Sequence, residues 1–173
     1  WRLNLNKAIE TMAKKNKLNV EPFDDIKIIG INTGIPDYQL AWHINKVLKL
    51  NLVKYKNINN NDDIPDELAT PDDLYSFYLY DVGENANAFN LVALNSYEGK
   101  PWVLFKPKTD FLFIIRNFIK DNDFSQILKN IKSIPNVIHA YTIDLDYNKK
   151  IDALLERIEL HEMEIVRETS NND

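Results

Sequence analysis

Residues 23–50 read FDDIKIIGINTGIPDYQLAWHINKVLKL, and this stretch decides the fold. Ile26 to Asn32 (IKIIGIN) is a short apolar, β-branched run of the kind that forms a buried strand. Gly34 and Pro36 break the run, and Asp37 stands where a carboxylate can cap a helix. Leu40, Ile44, Val47 and Leu48 then recur at helical spacing and define a buried face. At about 100° per residue, Tyr38, Trp42, Asn45 and Lys49 fall on the far side.

Strand signals follow on both sides of a long polar interruption. Leu52 to Ile58 predicts a second strand, and residues 57–73 (NINNNDDIPDELATPDD), acidic with two prolines, predict a surface loop. Leu74 to Asp81 (LYSFYLYD) and Phe89 to Tyr97 (FNLVALNSY) predict two strands joined by a turn through Gly83 and Asn85. A turn at Glu98-Gly99-Lys100 leads to a third strand, Trp102 to Lys106, completing an antiparallel meander. Asp110 to Asn117 (DFLFIIRN) is the most apolar run and is expected to be central. Asp123 with Gln126 forms a capping-box pattern before Ile127, Leu128 and Ile131, and Val137 to Leu145 (VIHAYTIDL) predicts the last strand. A final helix over 148–166 places Ile151, Leu154, Leu155, Ile158 and Ile165 along one stripe.

This order predicts an α+β fold: a mainly antiparallel sheet with βαβ units and helices over one face, plus a C-terminal helix. The expected parts are an N-terminal arm (1–23), an α+β domain (24–146), and a C-terminal helix and tail (147–173). Met12 opens MAKKNKLNV, which reads as a natural start. On that reading residues 1–11 are an upstream extension, the alternative being a short helix through Ala8, Ile9 and Met12.

Composition narrows the function classes. A chain of 173 residues, 45% hydrophobic and 27% charged, can bury a core without metals or disulfides. A net charge of -5 disfavours nucleic-acid binding and adhesion to anionic membranes, both of which rest on clustered Lys and Arg. The absence of cysteine removes disulfides, zinc thiolates and a thiol nucleophile, and fits a reducing cytoplasm, the expected location. No run approaches the roughly 18 apolar residues a membrane span needs.

Several segments together resemble the IPExxxVDY family, small proteins of Bacteroidota bacteria without an assigned function. The likeness runs through MAKKNKLNV (12–20) and FDDIKIIGI, is strongest in DYQLAWHINKVLKLNLV (37–53), and resumes at LYSFYLYD, TDFLFII (109–115) and SIPNVIHAYTID (133–144). Thr109, Asp110 and Phe111 stand for the family's V-D-Y. Val103, Leu104 and Phe105 occupy the place of its I-P-E, so no role of that glutamate carries over. The resemblance lends no activity to this chain, because the family has none assigned.

Candidate chemistry is sparse. His43, His139 and His161 lie on three different elements, without HExxH or similar spacing, and are expected to be structural or surface residues. Asp110 precedes one strand and Asp144 and Asp146 follow another. If those strands are parallel neighbours, the carboxylates fall at opposite ends, too far apart for acid/base work. GINTGIPD lacks the Lys-Ser/Thr of a phosphate loop, which leaves Gly30 and Gly34 to serve tight backbone geometry. The acidic loop lacks the ligand order of a calcium loop. No catalytic residue, metal site or cofactor is therefore expected.

Aromatic side chains carry the functional expectation. Trp42, with Tyr38, either packs beneath the last helix or the N-terminal arm, or waits for a partner. Tyr78 and Tyr80 share one face of their strand and either are covered or form an exposed platform. Tyr38, Trp42, Tyr78 and Tyr80 are thus the expected binding residues of a non-enzymatic protein-interaction or adaptor module. The alternative is a small-ligand or RNA-binding domain using the sheet face. Glu162 interrupts the stripe of the last helix: either the helix leaves the body there, or a partner supplies a cation. The stripe is expected to pack on its own domain, being short for a coiled coil, and self-association through Ile151, Leu154, Ile158 and Ile165 is the alternative.

Overall fold

The structure, a computed structural model, describes residues 25–83, 86–117, 119–146 and 149–171. The expected N-terminal arm and the start at Met12 lie outside the described residues. A strand β1 (Lys27–Thr33) leads into helix α1 (Asp37–Leu48). Six strands follow: β2 (Val53–Lys54), β3 (Ile58–Asn59), β4 (Leu74–Tyr75), β5 (Phe77–Tyr80), β6 (Ala88–Ala93) and β7 (Phe111–Arg116). Helix α2 (Asp121–Lys132), strand β8 (Val137–Thr142) and helix α3 (Lys150–Ser170) complete the described residues.

The main sheet has six strands in the order β2-β5-β6-β7-β1-β8, every neighbouring pair antiparallel. It follows that β7 and β8 run in the same sense with β1 between them, and β1 and β2 in the same sense with three strands between. Both expected βαβ connections are therefore crossovers that skip antiparallel strands. β7 is central, as its composition implies.

Alternation along the strands divides the core in two. Ile29, Ile31, Tyr78, Phe89, Leu91, Phe111, Phe113 and Ile115 face α1 and α2, which contribute Leu40, Ala41, Ile44, Phe124 and Ile131. Ile28, Phe77, Val92, Leu112 and Ile114 face the other way, beneath Ile151, Leu154, Leu155, Ile158 and Ile165 of α3. Among the described residues, two helices thus cover one face and the C-terminal helix covers the other. Burying an aliphatic side chain contributes roughly 1.5–3 kcal/mol, so this stripe holds α3 to the sheet, and the residues a self-associating helix would use are spent on the domain's own core.

Gly30 sits inside β1 rather than in the turn after it. A Cβ there would lie 2.8 Å from the Tyr141 ring and 3.2 Å from Ile143. Tyr141 is itself held by a 2.7 Å hydrogen bond between its hydroxyl and that of Thr109. Gly30→Ala is expected to cost about 1–3 kcal/mol through this overpacking, read as a lower midpoint in urea with an unchanged slope.

Several expectations need correction. Trp102 to Lys106 is not a strand. Pairing stops at the Asn95–Pro101 bridge and the Trp102 N–H to Leu94 carbonyl bond (2.8 Å), and Trp102, Val103 and Phe105 pack against the α3-side core, Trp102 beside Tyr75 at 4.9 Å. The strand expected over Leu52 to Ile58 is divided: β2 extends the main sheet, while β3 pairs with β4 in a separate ribbon. Neither Asp37 nor Asp123 caps its helix. Pro36 and Lys120 hold the N-cap positions without a side-chain bond, and both aspartates lie in the first turn, where they favour the helix dipole.

Candidate functional site

The outer face of α1 presents the residues singled out from its periodicity. With Leu40, Ala41 and Ile44 buried, the helix turns Tyr38 (69% exposed) and Trp42 (57% exposed) to the surface. The Lys46 ammonium lies 5.0 Å from the Trp42 ring centroid, and His43 meets that ring edge-on at 5.0 Å. A cation over the indole and an imidazole at its edge favour one ring orientation without burying it. Helix α3 lies across the opposite face of the sheet, so it is not the cover for Trp42. Asn45 does not face solvent freely: its amide clamps Leu52, donating to the carbonyl (3.1 Å) and accepting from the N–H (2.8 Å).

A polar cluster flanks the first turn of the same helix. Lys54 donates to Asp37 (3.0 Å) and to the Tyr97 hydroxyl (2.9 Å), and Tyr78 donates to Asp37 (3.1 Å). Burial alone would raise the Asp37 carboxyl, but hydrogen bonding from Ser76 and Lys54 and the Lys54 charge outweigh it and hold it below the ordinary range. Burial opposes the Lys54 charge, yet Tyr97 and Asp37 keep that ammonium well above the usual lysine value. Burial and the Asp37 charge push Tyr78 up to about 12. Tyr97 moves the other way: burial would raise it, but bonding to Lys54 and Ser76 with the Lys54 charge lowers it.

Ultraviolet titration therefore has a defined outcome. Tyr97→Phe should delete an early-ionising component, and Lys54→Met should move that component to higher pH. Identical alkaline titration curves for these variants and the native chain would count against the cluster. Sequence reasoning missed Lys54 and Tyr97, because no spacing pattern links Asp37 to residues brought beside it by β2 and the 96–100 turn.

The structure separates the remaining sequence candidates. Tyr78 is only 5% exposed, packed under α1, and Tyr80 is half-buried and stacked on Phe89 at 6.3 Å. They form no exposed platform, because the face they share is the one α1 and α2 cover. His43 stands beside Trp42, and His139 is exposed and stacked on Tyr141. His161 is buried against Phe77, with a ring nitrogen 2.9 Å from the Lys56 carbonyl, and burial lowers its pKa. The three histidines do not converge, and no group of three or more His, Asp and Glu among the described residues is placed to hold a metal.

The carboxylates are structural in their contacts. Asp110, at the start of β7, accepts the Thr33 N–H (3.0 Å) and the Asn95 amide (3.3 Å), at the opposite end of the sheet from Asp144 beyond β8. In the acidic loop, Asp62 pairs with Arg157 (3.2 Å), Asp66 with Lys56 (3.6 Å), and Asp73 completes a capping box with Thr70. Lys56 also pairs with Glu168 at 2.8 Å, which ties this segment to α3.

Glu162 keeps its place in the buried stripe, and the helix does not leave the body. The cation comes from within the chain: Arg116, at the end of β7, donates to Glu162 Oε1, and the fully buried Asn90 amide donates to the same oxygen at 2.6 Å. Burial raises the Glu162 carboxyl above the ordinary glutamate range, and the Arg116 charge pulls it back only in part. A shallow depression of about 420 Å³ opens beside the pair, lined by Arg116, Glu159, Glu162, Met163, Val166 and Arg167.

No helix among the described residues is long and apolar enough to cross a membrane. Comparison with protein-family models, curated proteins and solved structures found no match.

Proposed function

We propose that this chain is a non-enzymatic protein-interaction module of the bacterial cytoplasm, belonging with the IPExxxVDY proteins, and that it docks a partner on the outer face of α1. The observation that carries this reading is Trp42: a large aromatic residue, 57% exposed, on a helix whose inner face is fixed in the core. Trp and Tyr supply much contact area at little entropic cost, which is why they anchor interfaces. Tyr38 stands one turn earlier and extends the same surface.

The sheet-face alternative, a small ligand or RNA, finds less support. Among the described residues both faces of the main sheet are packed under helices, and the aromatics it would use point into the α1–α2 core. The test compares native protein and Trp42→Ala as baits in nuclease-treated lysate. The reading expects a stoichiometric protein partner on the native bait that is lost from the variant. Identical captures would refute it.

A further inference from the structure

We infer that the partner segment received by α1 is acidic, carrying carboxylates that reach Lys46 and Lys49 beside an apolar side chain seated on Tyr38 and Trp42. This rests on the docking surface proposed above and adds the chemistry of its occupant. The exposed residues of α1 and its C-cap are Tyr38, Gln39, Trp42, Lys46 and Lys49, with no carboxylate among them. Residues 37–54 hold three lysines against one acid, Asp37, in a chain whose net charge is -5. Asp37 and Lys54 are spent on each other, at 3.0 Å.

The exposed charge on α1 itself is therefore positive, while the carboxylates lie in the 62–73 loop, along α3 and in the first turn of α2, where Asp121 is paired with Lys27. Spacing adds direction. Tyr38 and Trp42 are one helical turn apart, Lys46 follows one turn on, and Lys49 ends the row. An occupant lying along α1 meets aromatic rings first and ammonium groups next. Lys46 already rests over the indole, so a carboxylate drawn to it is held at the edge of the apolar contact, where partial desolvation strengthens the attraction. Two lysines and no arginine are too few for a nucleic-acid footprint, which needs a broad basic surface. A protein segment is the occupant that this charge and this pair of rings fit together.

Carbodiimide coupling tests the contact directly, because it joins an amine to a carboxylate only where the two touch. Four baits are compared in nuclease-treated lysate: native chain, Trp42→Ala, Lys46→Glu/Lys49→Glu, and Lys129→Glu/Lys132→Glu on the exposed side of α2 as control. The inference expects at least a tenfold loss of the same partner from the first two variants and retention by the control. It also expects cross-linked peptides joining Lys46 or Lys49 to an Asp or Glu of that partner. A partner that needs Trp42 but tolerates the charge reversal at 46 and 49 would overturn the acidic occupant and leave the docking surface standing. A capture indifferent to Trp42 would overturn both, and one seen only in a parallel lysate left without nuclease would replace the protein segment with a nucleic acid.

Discussion

Replacing Arg116 with methionine should cost on the order of 3–5 kcal/mol, because it leaves Glu162 buried without its cation. For a domain of this size that is a fall in melting temperature of roughly 10 °C. The Asn90 amide still donates to the carboxylate, but one neutral hydrogen bond does not replace a charge. The double variant Arg116→Met/Glu162→Leu should recover only part of the loss, since an apolar pair fills the stripe that Glu162 interrupts but leaves the buried Asn90 amide without its acceptor.

The pH dependence follows from the direction of the Glu162 shift. Burial raises its folded-state carboxyl above the unfolded value, the first and largest cause, with Arg116 opposing. The folded state therefore holds the proton more tightly, so stability is gained as pH falls through the window between those values and lost as pH rises through it. Without Arg116 the window reaches further up. The melting deficit of Arg116→Met should accordingly narrow on going from about pH 8 to about pH 5. A deficit that stays constant or widens would show that Glu162 is not the stranded group.

Trp42→Ala should do the reverse: little to stability, much to binding. Its ring is more exposed than buried and touches Lys46 and His43 on its own helix, so the melting temperature should hold within about 2 °C, as for surface substitutions generally. Anchoring aromatics at interface centres contribute about 2 kcal/mol or more, so partner affinity should drop at least about thirtyfold. Calorimetry with the captured partner reads the second number, and a thermal melt reads the first. A large stability loss would instead assign Trp42 to the core.

The contrast between these residues marks what a sequence can convey. The 3.6-residue period of 37–48 placed Leu40 and Ile44 inside and Tyr38 and Trp42 outside, because local geometry alone settles which side of a helix a residue occupies. The same period placed Glu162 in the stripe of α3 and so flagged a conflict. Its resolution through Arg116 and Asn90, on β7 and β6, depends on strand neighbours far away in sequence. Tyr78 and Tyr80 misled for a related reason. Alternation assigned them to one face, but whether a helix covers that face is a tertiary fact. The Lys54–Asp37–Tyr97 cluster left no local trace, being assembled by β2 and a turn 43 residues later.

The most direct test of the docking surface replaces Tyr38, an exposed position that burial does not constrain, with a photo-crosslinking phenylalanine analogue in living cells. The same analogue at Leu104, which is 76% exposed on the loop that packs against the α3-side core, serves as comparison. A discrete covalent adduct from position 38 and none from position 104 is the expected result. No adduct from position 38, or the same adducts from both positions, would contradict the proposal that the outer face of α1 receives a partner.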